Sequence, residues 1–115
     1  MPKAFVYTEV QLSVPFDSAP WRELNPVLQQ QPGLVNKTWL SGYQNGSVGG
    51  FYEFDSLENA NAFAQDYFPQ EAKKIGAAFT TRVFDGAVTE EASRPMHSYQ
   101  PALTLTPGIP KLLRM

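Results

Sequence analysis

Residues 34 to 55 hold two apolar stretches, LVNKTWLSGY and SVGGFYEFD, on either side of Asn45-Gly46. Asn-Gly between two such stretches is the strongest short hairpin signal, because a type I′ turn needs positive φ at both central positions. Side chains alternate along each strand, which puts Trp39, Tyr52 and Phe54 on one face and Leu34, Leu40 and Phe51 on the other. A hairpin apolar on both faces must be covered on both. Helices of its own chain can cover one, and something else must cover the second.

A two-residue turn at Asn45-Gly46 sets an expected register in which Gln44 pairs with Ser47. Trp39 then faces Tyr52, Lys37 faces Phe54, Ser41 faces Gly50, Leu40 faces Phe51 and Gly42 faces Gly49. Ser41-Gly50 and Gly42-Gly49 are nearly empty pairs beside large aromatic ones. Glycine inside a strand marks a bulge or a close approach by a ligand or another backbone. Both readings stand: a flat apolar pocket with one cationic group, Lys37, or a bulge and close sheet packing.

The rest of the chain supplies the partners. Residues 4 to 14 alternate as a strand, with Val6, Thr8, Val10, Leu12 and Val14 on its more aliphatic side. A helix follows, with Asp17 or Ser18 as cap, Trp21, Leu24, Val27 and Leu28 at helical spacing, and a kink expected at Pro26. A second helix starts at Asp55 or Ser56 and buries Leu57, Ala60, Phe63, Ala64, Tyr67 and Phe68. Pro69 is expected to open a separate turn of helix, which Gly76 caps. Residues 77 to 85 form the last strand.

The order βαββαβ is the ferredoxin-like arrangement, an α+β fold with a four-stranded antiparallel sheet and two helices on one face. A homodimer packed sheet to sheet is the economical cover for the other face. The domain is expected to span residues 1–88. Residues 89–115 read as a proline-rich arm with few helix signals, laid on the partner subunit.

Composition excludes several functions. Net charge is -2 and charged residues are 17% of 115, so no basic field exists for nucleic acid or an anionic membrane. No apolar run reaches a membrane span, and no signal peptide is visible, so a cytoplasmic protein is expected. There is no cysteine and one histidine, His97, too few for a zinc site. No phosphate-binding or dinucleotide fingerprint occurs. The acid–base and electrostatic candidates are Glu9, Lys37, Tyr52, Glu53, Tyr67 and Arg82. Lys37 stands out. On an aromatic face its ammonium would hold a phenolate or enolate oxygen, or its amine would serve as a base. A lysine snorkelling at a sheet rim is the plainer alternative.

PGLVNKTWLSG, GGFYEFDSLENANAF and TRVFD together resemble the YdhR-type mono-oxygenases of the dimeric α+β barrel group. The matching features are Pro32-Gly33, Lys37-x-Trp39, Gly49-Gly50-x-Tyr52-x-Phe54 and Val83-Phe84-Asp85, with Pro15-Phe16 ahead of them. The resemblance spans residues 4 to 88. It implies a homodimeric barrel and kinship with antibiotic-biosynthesis mono-oxygenases, which oxidise phenolic substrates with dioxygen and without metal or flavin. On that basis no cofactor is expected, and the partners are dioxygen and a small aromatic or enolisable substrate. The expected catalytic residues are Lys37, Tyr67 and Arg82. Trp39, Tyr52, Gly50, Tyr7 and Phe63 are expected to bind substrate. A non-oxidative cyclase, isomerase or lyase acting on an enolate, or a non-catalytic binding protein, would use the same pocket.

Overall fold

The computed structural model describes residues 3–12 and 15–96. Four strands, β1 (Ala4–Gln11), β2 (Leu34–Ser41), β3 (Ser47–Phe54) and β4 (Phe79–Asp85), form one sheet in the order β2-β3-β1-β4. Every neighbouring pair is antiparallel. This is the expected ferredoxin-like α+β fold, with β1 and β3 at the centre. Residues 13, 14 and 97–115, including His97 and most of the expected arm, lie outside the described residues.

The central strands show why the sheet has a buried face. Ala4, Val6, Thr8 and Val10 alternate inward from β1, and Val48, Tyr52 and Phe54 do so from β3. Leu28 from the first helix and Ala60, Phe63 and Ala64 from the second close over Ala4, Val6, Tyr52 and Phe54 as a single core. Burying a side chain of Leu or Phe size contributes about 1.5–3 kcal/mol, so this cluster is the main reason the helices lie on this face.

Helix α1 (Trp21–Gln29) follows a 3-10 turn at Phe16–Ser18. Asp17 and Ser18 fall in that turn and do not cap the helix; Pro20 stands at the cap position. Pro26 sits inside α1 on its exposed side, where water can reach the carbonyl that loses its partner. Helix α2 (Leu57–Ala62) begins at Ser56, whose Oγ accepts the Asn59 N–H at 3.1 Å.

From α2 the chain continues without a break through a π-helical stretch, Phe63–Tyr67, into α3 (Phe68–Lys74). The Phe68 N–H bonds the Phe63 carbonyl, five residues back. Pro69 stands in the first turn of α3, as expected, but α3 continues the preceding helix rather than standing apart from it. The widened turn just ahead of Pro69 takes up the missing donor and the ring that would crowd an α-helical turn. Gly76, with φ +69°, ends α3 as expected. Past β4, where the sequence carries few helix signals, Glu90–Ser93 form one short helix, α4, tied by an Arg94–Glu90 ion pair of 3.0 Å.

The hairpin register differs from the expected one by two residues. Lys37 lies opposite Tyr52, Trp39 opposite Gly50, Leu40 opposite Gly49 and Ser41 opposite Val48. The turn is longer than two residues: Gly42 N–H bonds the Ser47 carbonyl at 2.8 Å and closes a loop over residues 43 to 46. Positive φ falls at Gln44 and Gly46 rather than at Asn45 and Gly46. Asn45 instead turns its side chain back, and its Oδ1 accepts from the Ser47 N–H at 3.0 Å and from Ser47 Oγ at 2.9 Å. A slip of two preserves the faces, because side chains alternate with period two. One face assignment does change. A bulge at Val35 puts Leu34 opposite Phe54, on the core side with Lys37 and Trp39, not with Leu40 and Phe51.

Candidate functional site

Between the inner face of the sheet and the helices lies a cavity of about 210 Å³. Lys37 and Trp39 from β2 and Tyr52 from β3 form one wall. Leu24 and Leu28 from α1 form a second, and Tyr67, Phe68 and Glu71 from the π-helical stretch and α3 form the third. Thr8 and Val10 of β1 make the floor. The lining is almost entirely apolar.

Lys37 is the unusual member. Its Nζ lies 3.0 Å from the centre of the Trp39 ring and 4.7 Å from that of Tyr52. No carboxylate lies within ion-pair distance of it among the described residues. Burial without a counter-ion pulls its pKa from the ordinary lysine value down to about 7. The two ring faces favour the charged form and oppose that shift. Near neutral pH the group is thus present both as amine and as ammonium.

The neighbouring groups are fixed by packing and hydrogen bonds. The Trp39 Nε1–H donates to Asn25 Oδ1 at 2.9 Å, which ties β2 to α1, and Phe16 packs edge-on against the indole at 5.8 Å. The Thr8 hydroxyl meets the Tyr52 hydroxyl at 3.4 Å. Burial raises the Tyr52 phenol to about 12, against the weaker lowering effect of Thr8, so it stays protonated and can donate. Tyr67 is also raised, by burial first and then by the Glu71 carboxylate, with Lys74 opposing. Phe63 stands behind the wall, 4.7 Å from the Tyr52 ring and 5.5 Å from the Tyr67 ring.

The glycines have a definite use. A Cβ on Gly50 would lie 2.6 Å from Lys37 Cε and 3.1 Å from the Tyr52 ring. The room at Gly50 is filled by the lysine stem, which crosses the strand there. Gly49 lets the β1 backbone come close, at the Thr8 carbonyl, and Gly42 makes room for the Asn45 and Ser47 side chains. The cavity adjoins this region, on the inner side of Lys37.

Of the expected site residues, the structure brings together Lys37, Trp39, Tyr52 and Tyr67, with Gly50 under the lysine and Phe63 behind the tyrosines. It does not bring in Tyr7 and Arg82. They face each other across β1 and β4 on the outer side of the sheet, where the Tyr7 hydroxyl donates to Glu9 at 3.1 Å and Arg82 is exposed. Glu53 is also outside, paired with Lys3 at 3.4 Å and accepting from Asn36 at 3.2 Å. Thr8, Asn25 and Glu71 are site residues that the sequence reading did not single out. Thr8 had a signal, as a hydroxyl on the aliphatic side of β1. Asn25 had none, because its partner lies on another element.

Lys37, Trp39 and Leu28 also line a second, more polar groove of about 310 Å³ toward Asn25, Gln29 and Asn36. The lysine–tryptophan pair therefore separates an apolar cavity from a wetter one. No three His, Asp or Glu side chains gather to hold a metal ion among the described residues. No helix among them is long and apolar enough to cross a membrane.

Solved structures with a similar fold include two of SnoaB. SnoaB, a cofactor-independent oxygenase from Streptomyces nogalater, superposes with a TM-score of 0.54 at 16% identity, over 73% of this chain and 92% of that one. An asparagine-to-alanine variant of SnoaB gives 0.51 at 16% identity, over 71% and 90%. At that identity the likeness is one of fold. No curated protein sequence is a significant match. The family model described as "Putative mono-oxygenase ydhR" matches residues 11–98, past the expected boundary at 88, and the chain belongs to that family.

Proposed function

We propose that this protein is a mono-oxygenase that works without metal or flavin on a flat phenolic or enolisable small molecule. The observation that carries the reading is Lys37, an amine with no carboxylate partner among the described residues, in an apolar cavity walled by Trp39 and Tyr52. Membership of the mono-oxygenase family agrees with it. A ring system stacked on Trp39 brings its acidic O–H or C–H to Lys37. The neutral amine takes the proton, and the ammonium so formed holds the resulting oxyanion. The Tyr52 hydroxyl adds a hydrogen bond. The electron-rich anion then reduces dioxygen. An activated methylene and one dioxygen give a carbonyl and one water. One oxygen atom stays on the carbon, the other leaves with the two methylene hydrogens, and the substrate supplies all the electrons. The dry cavity strengthens each of these charge contacts.

The outer face supports a homodimer. Phe5 stacks on Phe51 at 5.4 Å there, and Phe51 and Phe84 remain 41% and 46% exposed in the single chain. A second sheet would cover them.

The test is oxygen uptake with product analysis on anthrone-like phenols, using metal-stripped protein. Wild type is expected to consume one dioxygen per product, and Lys37→Met to be slower by about 10²–10⁴-fold. Product formed equally well without dioxygen would replace this reading with non-oxidative enolate chemistry in the same cavity.

A further inference from the structure

We propose that Lys37 is also a covalent capture site for aromatic aldehydes and ketones, which its ε-amine binds as an imine inside the cavity. Three features of the geometry lead there. The first is the lack of a counter-ion among the described residues. Lys3 and Lys74 are held by Glu53 and Glu71, at 3.4 and 2.9 Å, and Lys73 projects into water at the end of α3. Lys37 meets ring faces instead. The second is placement. Gly50 has no side chain, so the lysine stem lies across β3 and delivers Nζ to the cavity wall rather than to the sheet rim. The third is the two-sided setting. The apolar cavity accepts an aromatic ring, while the polar groove beyond Trp39 can take up the water that condensation releases.

The chemistry balances without an oxidant. The amine nitrogen attacks the carbonyl carbon, and the oxygen gains a proton to give a carbinolamine. Loss of that oxygen as water, with the second amine hydrogen, leaves C=N. Overall, one aldehyde and one lysine amine give one imine and one water. The Tyr52 hydroxyl, protonated well above neutral pH, is the donor on the adjacent strand. The other titratable groups facing the cavity are Tyr67 on the π-helical stretch and Glu71 on α3, while α1 lines it with Leu24 and Leu28. An apolar site suits imine formation because it lowers the cost of the neutral amine and keeps bulk water from reversing the reaction.

The probe is 2-naphthaldehyde with sodium cyanoborohydride at about pH 7, followed by digestion and mass mapping of each lysine in the full chain. Lys37 is expected to be labelled on the order of 100-fold faster than Lys73, which projects into water and has no apolar cavity beside it to hold the aldehyde. The preference is expected to shrink as pH rises toward 10 and to vanish in denaturant. Equal labelling of Lys37 and Lys73 in the folded protein would overturn the proposal, as would an unlabelled Lys37. Trapping is done without dioxygen and uses only the cavity. Its failure is therefore separate from a failure of the oxygenase reading, which oxygen uptake measures.

Discussion

At the scale of single residues, the fold tolerates a costly group, the half-buried Lys37 amine. Its pKa is lowered to about 7 in the native state, while the unfolded chain keeps an ordinary lysine. Between those two values the unfolded state binds more protons, so the native state loses stability as pH falls from about 10 toward 7, and no further below that. Lys37→Met is therefore expected to be more stable than the parent at about pH 6, by about 1–3 kcal/mol, with the gap closing toward pH 10. Urea titrations at several pH values measure this. Activity follows a related rule. If Lys37 acts as base, kcat/KM rises with pH to a plateau just above 7; a fall through that range would mean that only the ammonium is active. Gly50→Ala tests the placement of the lysine. The new Cβ would meet Lys37 Cε at 2.6 Å, at the flexible end of a side chain that can swing away. Activity is expected to drop by tenfold or more while stability falls by less than about 2 kcal/mol.

At the scale of elements, the second helix matters most to the site. The Ser56 cap fixes where it begins, and the π-helical stretch ahead of Pro69 lets it continue, so Phe63, Tyr67 and Phe68 all reach the sheet. Ser56→Ala is expected to cost about 1 kcal/mol, read as a shift in the denaturation midpoint. Much at this scale was legible in the sequence. The strands alternate, the helices show apolar stripes, and Lys37, Trp39 and Tyr52 share a face by parity alone. The turn was less legible. Asn45-Gly46 predicts a two-residue loop, but Asn45 Oδ1 binds Ser47 instead, and Gln44 takes the left-handed conformation. Arg82 shows a second kind of ambiguity. In β4 both sides carry apolar and polar residues, so alternation alone does not say which faces the helices. For β1 it does: Val6 and Val10 point inward, which sends Tyr7 out.

At the scale of the whole molecule, the sheet presents one face to its own helices and the other to its surroundings. Phe5, Phe51 and Phe84 on that outer face form the patch expected to meet a second copy. Phe51→Glu puts an unpaired charge in the centre of such an interface. It is expected to weaken association by about 100-fold or more while leaving the inner core intact. Sedimentation measures the first effect and circular dichroism the second. Association unchanged by the substitution would remove the sheet-to-sheet dimer.

The sequence by itself determined the order of elements, the face on which most side chains lie, and the lack of any cysteine chemistry. These follow from local periodicity and residue inventory, which need no knowledge of distant contacts. The tertiary structure decided the rest. It set the hairpin register and the Val35 bulge that turns Leu34 inward. It also set the hydrogen bond from Trp39 to Asn25 and the filling of the Gly50 gap by Lys37. Each depends on which groups meet across separate elements, and that is settled only when the core closes. Hence the lysine could be noticed in the chain, but its place against two ring faces, with no described carboxylate within ion-pair distance, could be seen only in the fold.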